Sequence, residues 1–141
     1  MLRFDGLYVA PPQTFGNDST VYFGYLRFYA DGTVIDCSST GTPEQVIRWF
    51  DRDNPDQRSL LRGSYFTDGD EIVFSPEFTD QDEGLEILMR IDYKGHIKDD
   101  GATLELSVAS QINGYTHEEV YHFAQVSAPE AAEPGIEQGN C

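Results

Sequence analysis

Apolar and polar residues alternate with a period of two over much of this chain. In "LEILMRIDY", Leu85, Ile87, Met89, Ile91 and Tyr93 fall on one side and Glu86, Arg90 and Asp92 on the other. That pattern predicts an antiparallel strand with one buried and one solvated face. Similar runs predict strands over about residues 5–9, 21–30, 33–38, 60–67, 70–76, 85–98 (bent at Gly95), 102–112 and 115–126. Between them stand Asp31-Gly32, Asp68-Gly69, Asp100-Gly101 and Asn113-Gly114, with Glu83-Gly84 as a weaker fifth. Asp-Gly and Asn-Gly pairs suit tight hairpin turns because both central residues take positive φ there. Eight successive hairpin-linked strands predict an all-β, up-and-down antiparallel barrel, which removes its exposed edges by closing. One short helix interrupts the series. Thr42-Pro43-Glu44-Gln45 is a capping box with proline at the first helical position. Val46, Ile47 and Phe50 follow as an apolar stripe with Trp49 beside it, which suits a helix packed over a barrel end.

Turn positions set register, and register decides which side chains share a face. A two-residue Asp31-Gly32 turn pairs Phe28 with Ile35 and Leu26 with Cys37 on the core face. It leaves Arg27 and Asp36 as an outward ion pair worth at most ~1 kcal/mol. A turn at Asp68-Gly69 pairs Tyr65 with Ile72. The Asp100-Gly101 turn sets Ile97 against Leu104, Gly95 against Leu106 and Tyr93 against Val108. The Asn113-Gly114 turn sets Leu106 against Tyr121, Leu104 against Phe123 and Val108 against Glu119. The last two registers also align His96, Glu105 and His122 in one row with neighbouring Cβ atoms ~5 Å apart. Two histidines and a carboxylate form a ligand set for iron or zinc. The row shares its face with Lys94, Lys98, Thr103 and Ser107, however, and so points outward as a solvated row with no cavity around it. No metal is therefore expected. Val120, Ala124 and Val126 make the last strand apolar on that outer face too, so a homodimer through the last strand or the packed helix would cover it.

The core face carries the more informative polar pair, His117 and Glu119. An ionised carboxylate is costly to bury unless it is paired or reaches water. Both residues lie near a turn, so a wet barrel mouth accounts for them. Alternatively they are the polar contacts of an apolar cavity, acting as acid or base if the protein is an enzyme. The residues expected to line that cavity are Tyr22, Phe28, Tyr65, Met89, Tyr93 and Tyr121, with Trp49 from the helix. Packing of a narrow eight-stranded barrel accounts for the same aromatic set.

The 141 residues fit one domain, 1–126, followed by a Pro-, Ala-, Glu- and Gly-rich acidic tail, 127–141, expected to be disordered. Nine basic against 25 acidic residues give a net charge of −16, which argues against nucleic acid and anionic membrane surfaces as partners. It fits a solubilising surface, a basic protein partner or a DNA mimic. Cys37 and Cys141 read as reduced thiols and the N-terminus shows no secretory leader, so a cytoplasmic protein is expected. "DRDNPDQRSLLR" opens like a calcium loop but has Asp56 in the glycine position and Arg62 in the bidentate glutamate position. With no phosphate-binding glycine loop, nucleophile elbow or Cys-x-x-Cys, no cofactor is expected.

The meander resembles the calycin group, the lipocalins and fatty-acid-binding proteins, over about residues 4–126. Gly6-Leu7-Tyr8 is similar to the lipocalin Gly-x-Trp, with Tyr8 in the tryptophan's place. The lipocalin arginine after the last strand has no counterpart there, since no Lys or Arg follows Lys98. A helix between the third and fourth strands is a second departure. The resemblance implies a closed barrel with an interior pocket. The leading expectation is a module binding a small hydrophobic or aromatic molecule inside it. The others are a cyclase- or isomerase-type enzyme using the same cavity, and an acidic interaction protein.

Overall fold

The computed structural model describes residues 2–14, 21–51, 60–82, 85–111 and 114–126. The expected tail and most of the calcium-like loop lie outside them. The strands are β1 (Gly6–Val9), β2 (Gln13–Thr14), β3 (Val21–Phe28), β4 (Thr33–Ser39), β5 (Leu61–Asp68), β6 (Glu71–Phe74), β7 (Glu77–Asp82), β8 (Leu85–Lys98), β9 (Thr103–Ser110) and β10 (Thr116–Gln125). Eight of them close a ring in the order β1-β10-β9-β8-β6-β5-β4-β3, and β1 pairs with β3 through Tyr8↔Leu26 and Val9↔Tyr25. The fold is thus the closed eight-stranded antiparallel barrel that the alternation predicts. The two unexpected short strands are appendages: β2 pairs with β3, and β7 lies between β5 and β8.

The β8–β9 register is as expected, including Ile97↔Leu104, Tyr93↔Val108 and His96↔Glu105. Gly95 belongs there because a Cβ would stand 1.8 Å from the Glu105 carbonyl oxygen. Two other hairpins shift by two residues. Tyr65 faces Phe74 because Gly69 and Asp70 form the turn, and Tyr121 faces Leu104. An even shift keeps every side chain on its face, so the core assignment survives.

The β3–β4 hairpin shifts by one, and the consequence is larger. Three residues bridge it rather than two: Tyr29 N–H donates to Thr33 O at 2.8 Å, and Gly32 N–H returns to Tyr29 O at 3.1 Å with Gly32 at φ 98°. Three-residue loops of this kind place glycine in the left-handed position. Phe28 then faces Val34, and Leu26 faces Asp36. Val34 and Asp36 turn into the barrel, while Ile35 and Cys37 turn out. The expected Arg27–Asp36 ion pair does not form. Arg27 instead donates to Phe50 O at 2.7 Å and lies over the Tyr29 ring.

Two cores result. The barrel interior holds Tyr8, Leu26, Phe28, Val34, Ile72, Phe74, Tyr93, Ile97, Leu104, Leu106, Val108 and Tyr121. The second core lies on the outer wall, where Leu7, Tyr25, Ile35 and Cys37 pack against Val46, Ile47, Trp49 and Phe50. The helix α1 (Pro43–Val46) and the turn after it therefore cover the barrel's side rather than its end. Its capping box forms as expected, with Thr42 N–H donating to Gln45 Oε1 at 2.9 Å and Gln45 N–H to Thr42 Oγ1 at 3.4 Å. Val126 joins this outer core, which covers part of the apolar outer face of β10. Val120 remains partly exposed. Cys37 is disulfide-bonded rather than a reduced thiol, and the cytoplasmic expectation loses that support. Among the described residues no helix is long and apolar enough to cross a membrane.

The N-terminal segment fastens one barrel end. Leu2 is buried in the interior core, and Tyr8 Oη donates to Gly101 O at 2.6 Å while accepting from Arg3 N–H at 3.1 Å. The Arg3 guanidinium lies 5.5 Å over the Phe123 ring and donates to Asp100 O at 3.3 Å.

Candidate functional site

Inside the barrel, the one-residue shift at β3–β4 creates the feature most unlike a packing core. Asp36 is buried among apolar neighbours, and it is the single buried residue with an ionisable acid or base side chain of ordinary pKa near or below neutrality among the described residues. Its cross-strand partners are Leu26 and Leu61. Tyr93, inward-facing on β8, donates its hydroxyl to Asp36 Oδ2 at 2.5 Å. Tyr121, inward-facing on β10, hydrogen-bonds Tyr93 in turn. Gly24 on β3 makes room for this group, since a Cβ there would meet the Tyr121 hydroxyl at 3.3 Å.

Burial disfavours the charged form of each member. It pushes the Asp36 carboxyl up to about 7, against the opposing effect of the Tyr93 hydrogen bond. Burial likewise raises Tyr93 and Tyr121, and the negative charge of Asp36 raises both further. Both phenols therefore stay neutral, and Asp36 is the member that exchanges a proton near neutrality.

Aromatic rings make the wall around this group. Phe74 stacks on Tyr93 with centroids 4.6 Å apart, and Phe28 meets Phe74, Tyr8 and Tyr65 edge-on at 5.2–5.4 Å. Tyr65, Phe74 and Tyr93 form one cross-strand row leading from a barrel end to Asp36. At that end a space of about 260 Å³ lies between Leu2 and Phe4 on one side and Tyr65, Thr67, Gly69 and Ile97 on the other.

Of the residues the sequence proposes as a cavity lining, Phe28, Tyr65, Tyr93 and Tyr121 come together in the interior core or against it. Met89 is half-buried on the lower arm of β8, opposite Phe78. Tyr22 is half-buried at the other barrel end, donating to Gln13 Oε1 at 3.0 Å. Trp49 is outside the barrel wall, in the helix core, and cannot touch an interior ligand. His117 is exposed, opposite Val108, with its ring tilted against Tyr115. Glu119 is half-buried opposite Leu106 and accepts from Gln13 Nε2 at 2.9 Å, so it belongs to the Tyr22 end rather than the interior.

The His96–Glu105–His122 row is broken by the two-residue shift of β10. Val120 takes the place opposite Glu105, and His122 pairs with Thr103. All three side chains are exposed, and among the described residues no three His, Cys, Asp or Glu groups stand close enough to hold a metal ion. Asp36 was the residue hidden from sequence reasoning. The signal that could have found it is the apolar stripe of the helix, which needs an apolar partner on the outer wall. Ile35 and Cys37 supply that partner only if Asp36 turns inward.

The fold and interior define a class, a closed eight-stranded antiparallel barrel with a buried acid among tyrosines. Comparison with family models, curated proteins and solved structures finds no match to this chain.

Proposed function

We propose that the barrel binds a small, largely apolar or aromatic molecule, whose polar group is read by Asp36 together with Tyr93 and Tyr121. One observation carries this reading: an ionisable carboxyl, held by the Tyr93 hydroxyl, sits inside an aromatic-walled barrel, where burying a group able to ionise is costly. A few convergent polar groups on an apolar lining are what small-molecule sites use. The space at the Leu2–Tyr65 end gives such a molecule a foothold next to the aromatic row.

The lipocalin likeness extends to the fastened end. There Arg3, from the opposite terminus to the lipocalin arginine, lies over Phe123 and meets Tyr8, which stands in the tryptophan's place. The neutral fluorophore N-phenyl-1-naphthylamine tests the proposal. Saturable one-to-one uptake is expected, weakened by Ile97→Trp, which fills the end space. A response that never saturates, or that ignores Ile97→Trp, would reject it.

A carboxyl poised near neutrality beside two phenols also favours a second reading, an isomerase- or cyclase-type enzyme with Asp36 as the proton-transferring group. Asp36→Asn separates the two. Turnover collapses in an enzyme, whereas a binder keeps its affinity for a neutral ligand.

A further inference from the structure

We propose that the molecule held in this interior is an organic cation, an amine carried on an apolar or aromatic body. The proposal rests on the small-molecule reading above. Four observations converge on it. First, Asp36 brings a negative charge into the interior that no buried Lys, Arg or His balances among the described residues. Second, Tyr93 presents a donor to Oδ2 at 2.5 Å, an arrangement that favours the ionised carboxylate as acceptor. Third, the interior around it is rich in aromatic rings, Tyr8, Phe28, Phe74, Tyr93 and Tyr121, the side-chain type that attracts a desolvated cation. Fourth, a net charge of −16 draws cations to the protein and repels anions. A neutral acceptor on a protonated Asp36 would meet no charge there, because the proton cancels it. It would gain nothing from the rings or the field.

The groups facing Asp36 are few. Tyr93 arrives from β8 and Tyr121 from β10, Leu26 and Leu61 flank it on β3 and β5, and Glu119 lies beyond Tyr121 as the next acid. A bound ammonium must find Asp36 ionised. Below the carboxyl's value of about 7 each bound cation therefore displaces a proton. Affinity for an amine should rise about tenfold per pH unit below that value and level off above it.

The test uses a matched set of three probes, 2-phenylethylamine, 2-phenylethanol and phenylacetate, displacing N-phenyl-1-naphthylamine from the full chain between about pH 5.5 and 8.5. At the upper pH the amine should bind at least ~10-fold more tightly than the alcohol, with the acid weakest, and its affinity should show the stated slope. Asp36→Asn should remove both the preference and the slope while the alcohol still binds. The wild-type comparison stands by itself if that variant does not fold. Equal binding of amine and alcohol, or amine affinity that falls as pH rises, overturns the cation while saturable dye uptake leaves the interior site standing. Loss of saturable dye uptake itself overturns both.

Discussion

Asp36→Asn should change the pH dependence of stability in a direction that only a buried acid produces. The unfolded carboxyl titrates near 3.8 and the folded one near 7, so between these values the native protein keeps a proton that the unfolded chain has lost. Stability contributed by the protonated, buried acid is complete below the lower value and is lost as pH rises through the upper one. Each pH unit of separation is worth ~1.4 kcal/mol, so the wild type gives up on the order of 4 kcal/mol across the window. Asparagine cannot ionise, and its amide nitrogen lacks the partner a carboxylate does not need, at a cost of ~1–3 kcal/mol at any pH. The variant should therefore be the less stable protein at about pH 4.5. It should regain most of that deficit, or overtake the wild type, at about pH 8. Urea denaturation followed through Trp49, the only tryptophan, measures both curves, and their difference cancels the general repulsion of an acidic chain. A wild-type/variant difference that is the same at both pH values, or that widens against the variant at high pH, would refute the buried-acid argument.

Two further outcomes follow from the geometry. Gly95→Ala drives a Cβ to 1.8 Å from the Glu105 carbonyl oxygen and should destabilise by at least ~3 kcal/mol or prevent folding, whereas Gly69→Ala, with open space around it, should cost ~1 kcal/mol from its positive φ alone; thermal melts rank the two. Arg27→Ala removes the 2.7 Å bond to Phe50 O and the stacking on Tyr29 and should cost ~1–3 kcal/mol, with Trp49 emission shifting to longer wavelength as the helix segment loosens.

The pattern of alternation in β8, β9 and β10 made the barrel legible, because an error of two residues in a turn leaves inside and outside unchanged. The β3–β4 hairpin was illegible for the opposite reason. Val34 and Ile35 are adjacent and both apolar, so the strand offers a credible core face in either register, and the two-residue turn gave a charge pair at Arg27–Asp36 as a false reward. Loop length decided it, through Gly32 at φ 98°, and no local rule distinguishes that three-residue loop from the tighter turn. The site went astray with it. His117 and Glu119 share a strand parity with Tyr121 but sit too near the end of β10 to be enclosed.

β4 has no solvated face along most of its length. Val34 and Asp36 belong to the interior, and Ile35 and Cys37 belong to the helix core one residue away. It is a party wall between two rooms. Side chains on the two faces hang from one backbone, so the strand that carries Asp36 inward also carries Ile35 and Cys37 outward against Phe50 and Trp49. A substitution in the helix core therefore repacks against the back of the Asp36 strand.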